Sequence, residues 1–116
     1  MDNAPTSGCW SGFYRYGWLL LWRKERMTLN LVFKQGRIEG SGTDPVGAFE
    51  ITGYYERDFH FTKKYSGKHS VVYHGQPQNG GLAGRWQIPN DWGGTFAIWP
   101  SGEEDFPTDL LGLPAN

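Results

Sequence analysis

Lys63 and His69, with the phenols of Tyr14 and Tyr73 nearby in the pattern, are the residues best placed to do chemistry in this sequence. Alternation from Phe59 to Lys64 puts Phe59, Phe61 and Lys63 on one apolar face. A lysine buried without a partner costs several kcal/mol or gives up its proton. No carboxylate shares that face in the strand pattern, so an inward Lys63 asks for an anion, most simply a ligand carboxylate or phosphate. Near an open end it would instead snorkel into water. Ligand cavities are mostly apolar and aromatic with a few orienting polar groups. Lys63, His69, Tyr14, Tyr73, Trp10 and Trp86 fit that description as a ligand-binding set.

Other reactive types are poorly placed. His60 and His74 fall on the face opposite His69, whereas zinc or iron needs ligands that converge. No metal, haem or other cofactor is therefore expected. The sequence contains no G-x-S-x-G, no H-E-x-x-H and no phosphate-cradling glycine loop. Cys9 has no base beside it in the strand pattern. Glu39 and Glu50 point outward, and Glu103 belongs to the tail. These features favour binding over catalysis.

The elements that must position these residues are strands. Glycine makes up 17 of 116 residues, aromatics 16% and charged residues 20%, a composition that opposes helical bundles and disorder alike. The length holds one domain. Alternation runs through eight segments separated by turn residues: Trp10–Tyr16, Met27–Lys34, Arg37–Thr43, Ala48–Tyr55, Phe59–Lys64, His69–His74, Leu82–Ile88 and Gly94–Trp99. Gln35-Gly36 suits a two-residue type I′ turn, which sets Leu29 opposite Gly42, Leu31 opposite Gly40 and Phe33 opposite Ile38. A bulge at Gly67 would set Lys63 opposite His69, Phe61 opposite Val71 and Phe59 opposite Tyr73, while a two-residue Ser-Gly turn would bring Val72 inside instead.

Consecutive strands usually pair, and an open eight-stranded meander would expose an apolar face and two edges. Closure removes both problems. The expected fold is all-β, a single antiparallel eight-stranded up-and-down barrel over residues 9–100. Residues 1–8 read as a flexible N-terminus and 101–116 as a C-terminal tail. Gly12, Gly40, Gly42, Gly53 and Gly84 fall on the inward face, where they relieve crowding.

Eleven basic against twelve acidic residues leave no broad electrostatic footprint, so neither nucleic acid nor a membrane is expected as partner. One cysteine makes no intrachain disulfide, and no targeting segment is apparent in Met1–Gly8, which suggests a cytoplasmic location. The connection Gly17–Arg26 (GWLLLWRKER) is long, apolar at its start and basic at its end. Trp18, Leu20 and Trp22 make it a candidate interaction surface and a possible route to a homo-oligomer. Extension of the flanking strands into a protruding hairpin, or a lid folded over the barrel end, would serve equally well.

Gly8-Cys9-Trp10 at the start of the first strand resembles the G-x-W that opens lipocalins, and the order of eight short meandering strands is similar to that of avidins. Both belong to the calycin-like barrels. The resemblance spans Gly8–Pro100 at the level of architecture and implies a small ligand in the barrel mouth. No retinoid- or biotin-binding residue carries over: Thr95–Trp99 supplies no basic residue, and Trp10-Ser11-Gly12-Phe13 lacks the asparagine of avidins. The resulting expectation is a non-enzymatic barrel for an anionic or aromatic small molecule. The alternative is a protein-interaction or oligomerisation module with a solidly packed core.

Overall fold

The computed structural model describes residues 5–18 and 21–101. Its strands are β1 (Gly8–Trp18), β2 (Leu21–Lys34), β3 (Arg37–Asp44), β4 (Gly47–Tyr55), β5 (Phe59–Tyr65), β6 (Ser70–Gln78), β7 (Gly81–Gln87) and β8 (Gly93–Pro100). Each pairs antiparallel with its successor, and β8 returns to β1, with Ile98 opposite Gly12 and Phe96 opposite Tyr14. The chain is a single closed up-and-down barrel. Ser101 N–H donates to the Cys9 carbonyl at 2.9 Å, which fastens the two ends of the meander at one pole. Among the described residues no helix is long and apolar enough to cross a membrane.

Local turn chemistry sets the registers. Gln35 and Gly36 both have positive φ, 53° and 81°, as a type I′ turn requires, and the β2–β3 pairing is the one the alternation predicts. Asn79 and Gly80 form a second such turn, with φ of 52° and 86°. It reduces the expected loop at 75–81 to two residues and lengthens β6.

One open alternative resolves and one expectation changes. Beyond Arg15 on the β8 side and Thr28 on the β3 side, β1 and β2 pair only with each other, as far as Trp18 opposite Leu21. Most of the Gly17–Arg26 connection is thus a hairpin that outruns its neighbours rather than a lid. Leu20 and the side chains of Trp18 and Trp22 lie outside the described residues. The β5–β6 pairing differs by two residues: Lys63 opposes Val71, Phe61 opposes Tyr73, and Phe59 opposes Gly75. Gly67 does take positive φ, 69°, but Tyr65 N–H reaches the His69 carbonyl and Lys68 N–H the Tyr65 carbonyl, so the turn absorbs Ser66–His69. A slip of two preserves the inward face because side chains alternate with period two. Val71 and Tyr73 remain inside.

The lumen is filled from its base to its middle. At the base, Phe33 meets Trp10, Tyr55 and Phe59 at ring separations of 5.5, 5.8 and 6.1 Å. The N-terminal segment covers this cluster: Trp10 Nε1–H donates to the Thr6 carbonyl (2.8 Å), and Ser7 Oγ accepts from Phe33 N–H (2.9 Å). Above it, Tyr73 stacks on Phe61 and takes Phe96 edge-on, both at 4.9 Å. Closing the cylinder around such large rings requires close strand approach elsewhere. At Gly12 a Cβ would fall on the Ala97 carbonyl oxygen and stand 2.6 Å from Ile98 Cα; at Gly84 it would fall on the His74 carbonyl oxygen and stand 2.7 Å from Gly75 Cα.

Gly84→Ala must therefore part β6 from β7. Overpacking of this kind costs about 1–3 kcal/mol, so the urea midpoint is expected to fall with the slope unchanged. An unaltered midpoint would show that these strands tolerate the added methyl.

Candidate functional site

The opposite pole of the barrel is open. There the turns Asp44–Gly47, Ser66–His69 and Ile88–Trp92 stand around a cleft of about 440 Å³. Its wall is mainly aromatic and aliphatic, with Tyr16, Val46, Val71, Trp86, Ile88 and Trp92 among the lining residues, and its floor is polar, formed by Lys63, Tyr14, Tyr65 and Tyr73. Trp86 meets Tyr14 edge-on at 6.1 Å, and Trp92 meets Tyr16 and Trp86 at 5.5 and 6.2 Å. The Trp86 indole N–H donates to the Arg15 carbonyl at 3.0 Å. That bond orients the ring and leaves its apolar surface for contact. Glu25 lines the cleft, with one carboxylate oxygen 3.5 Å from the Tyr16 hydroxyl and 3.9 Å from Arg23.

Beneath the cleft lies a buried ion pair. Lys63 Nζ is 2.7 Å from Asp44 Oδ2, and the two side chains are 2% and 0% exposed. Tyr65 O–H donates to the same carboxylate oxygen at 2.5 Å. The other oxygen, Oδ1, accepts from the backbone N–H groups of Val46 (2.9 Å) and Gly47 (3.4 Å), so Asp44 closes its own turn while it reaches into the lumen. Four rings surround the ammonium: Tyr14, Phe49, Tyr65 and Tyr73 have centroids 4.5 to 5.3 Å from Nζ. Ring faces carry negative potential, so they supplement the carboxylate.

This arrangement corrects the sequence reading of Lys63. Its face does hold a carboxylate, and the side chain neither awaits an external anion nor snorkels to water. Asp44 was legible in principle. The inward parity of Ile38, Gly40 and Gly42, carried one step past Thr43, lands on Asp44; placing that residue wholly in the turn concealed it.

The remaining expected site residues separate. Lys63, Tyr14, Tyr73, Trp86 and His69 line the cleft, but His69 stands exposed on its rim rather than inward, because the longer turn carries it out of β6. Trp10 lies at the sealed base and takes no part. Pro45, Val46 and Trp92 join the cleft from turns, where alternation gives no inward signal. Cys9, Glu39 and Glu50 are exposed on the outer surface. His60 and His74 face outward as expected, on the wall of β5 and β6.

Burial governs the titration of the floor. Desolvation, reinforced by the Asp44 charge, pushes the phenols of Tyr14, Tyr65 and Tyr73 above their ordinary value of 10.0. Desolvation lowers Lys63 below 10.5, and Asp44 draws it partly back. The signs oppose one another. A raised phenol adds stability that is complete below pH 10 and lost as pH climbs beyond it, whereas a lowered lysine makes stability rise with pH just under 10.5.

Removing one partner of a buried pair strands the other charge. Asp44→Ala is expected to cost about 3–5 kcal/mol, and adding Lys63→Met to recover most of that loss; a double variant no more stable than the single one would refute the pairing. With three phenols against one lysine, the denaturant midpoint should fall steadily above pH 10. Tyrosinate absorbance from Tyr14, Tyr65 and Tyr73 should then emerge only with unfolding, and emergence in the folded state would contradict their burial. No protein-family model matches the chain, and no curated protein matches it.

Proposed function

We propose that this barrel binds a small, largely apolar or aromatic molecule in its open end and catalyses no reaction upon it. The carrying observation is the cleft itself: about 440 Å³, walled by Tyr16, Val46, Val71, Trp86, Ile88 and Trp92 above a floor whose charges are already paired. Pockets that take small molecules are concave, mainly apolar and furnished with a few fixed polar groups. Tyr14, Tyr73 and the rim residue His69 provide such groups, with Lys63 acting on a ligand only through the phenols it holds.

The strand order supports the same reading. An eight-stranded barrel is just wide enough to be filled or to hold one small ligand, and this one is filled below and concave above. The closed eight-stranded up-and-down barrel, with Gly8-Cys9-Trp10 opening β1, resembles calycin-like barrels, which hold a ligand at the mouth. The preference for an anion loses its support once Lys63 has Asp44. Aromatic and uncharged ligands retain theirs.

A neutral aromatic dye such as N-phenyl-1-naphthylamine should bind saturably, quenching tryptophan emission as it brightens. Trp92→Ala removes one ring contact, worth about 0.5–1.5 kcal/mol, and should weaken the dye two- to tenfold; Val46→Trp should narrow the mouth and reduce binding further. Unsaturable dye uptake, or affinity indifferent to both substitutions, would overturn the assignment to this cleft.

A further inference from the structure

The outer wall carries a second convergence of reactive side chains, remote from the mouth and sharing no residue with it. Asp58 comes from the turn between β4 and β5, His60 from the start of β5, and His74 from β6 directly across the ladder from His60. The two imidazoles lie nearly parallel, 8° apart in plane with centroids separated by 4.5 Å. Asp58 Oδ2 is 3.2 Å from His74 Nε2. One donor atom from each of the three side chains can be chosen so that all lie within 4.8 Å of one another.

Their surroundings hold this geometry. Tyr54 stacks on the opposite face of His60 at 4.9 Å and 19°, so that ring is sandwiched. Gln76, on the same face of β6 as His74, donates to Asp58 Oδ1 at 3.4 Å and leaves Oδ2 as the oxygen turned to the imidazoles. Two stacked imidazoles repel when both are protonated. A cation coordinated at their edges requires both to be neutral and makes the stack favourable.

We propose that Asp58, His60 and His74 bind a divalent transition ion of the zinc, nickel or copper class, with Gln76 orienting the carboxylate and the remaining coordination position open to water. Imidazole nitrogen selects these ions over magnesium and calcium, which take oxygen donors. Bonds of about 2.0–2.2 Å in tetrahedral geometry put donor atoms roughly 3.3–3.6 Å apart. The three donor atoms, all within 4.8 Å of one another, stand up to about 1.5 Å wider than that, so binding must draw the side chains together. The sequence alone argues against a metal because His69 falls on the face opposite His60 and His74, so the three histidines do not converge. The third donor is a carboxylate from the preceding turn. A bound ion would tie that turn to the β5–β6 ladder at the sealed end of the barrel.

The test is isothermal titration of the full chain with zinc chloride, with thermal melts in zinc, nickel, copper and magnesium chlorides. One equivalent of zinc should bind saturably, and the midpoint should rise with zinc, nickel or copper but not with magnesium, since a ligand held only by the folded state stabilises it. His60→Ala and His74→Ala should each abolish the saturable heat. Gln76→Ala should weaken it by about tenfold, as loss of an outer partner does, and His69→Ala should leave the zinc heat unaltered. Should an alanine variant fail to fold, Asp58→Asn keeps the shape and is expected to weaken binding more than Gln76→Ala does. Absence of saturable zinc heat in the unaltered chain, or full retention of it in a His60→Ala, His74→Ala double variant, would overturn the proposal.

Discussion

A single ammonium group held inside a cylinder of aromatic rings sets the terms for everything above it. The isolated charge could not remain there. It persists because Asp44 arrives from the end of another strand, Tyr65 donates to the same oxygen, and four ring faces close the remaining directions. Such a pair adds little net stability, because stripping water from both charges offsets their attraction. Its effect is positional. The carboxylate that meets Lys63 also accepts the turn's own N–H groups, so the Asp44–Gly47 loop has one way to fold and the filled part of the lumen ends at a defined level.

The two poles differ for reasons that begin in their turns. At the base, tight left-handed pairs at Gln35-Gly36 and Asn79-Gly80 bring strands together with no residues to spare, and Trp10, Phe33, Tyr55 and Phe59 pack under Thr6 and Ser7. At the mouth, the connections after β5 and β7 are longer, and β1 and β2 outrun their neighbours. Longer connections hold side chains apart as a rim instead of drawing them into a plug. The same chain thus makes a closed floor and an open top from one repeated strand plan.

Much of this was legible because two independent rules agreed. Period-two alternation marked the inward residues of the strands, and the Gln35-Gly36 turn fixed a register that paired Leu31 with Gly40 and Phe33 with Ile38. Where a turn's length is ambiguous, as after Tyr65, the register moves by two while the faces hold, so Lys63 and Tyr73 stay inward and His69, drawn into the turn, does not. Contributions from turns stayed hidden. Asp44, Tyr65, Trp92 and Asp58 all lie outside the alternating segments read from the sequence, and each joins a cluster that includes residues alternation marks. Strand periodicity tells which way a side chain faces, and it is silent on which loop will fold over it.

The hydrogen bond from Ser101 to Cys9 places the first and last strands side by side at the sealed pole. A fluorophore, tether or fused domain attached beside Cys9 or Ser101 therefore lies at the pole opposite the mouth. Joining those ends through a short linker and reopening the chain at Asn79-Gly80, on the same pole, would give a circular permutant whose rim is built from uninterrupted backbone.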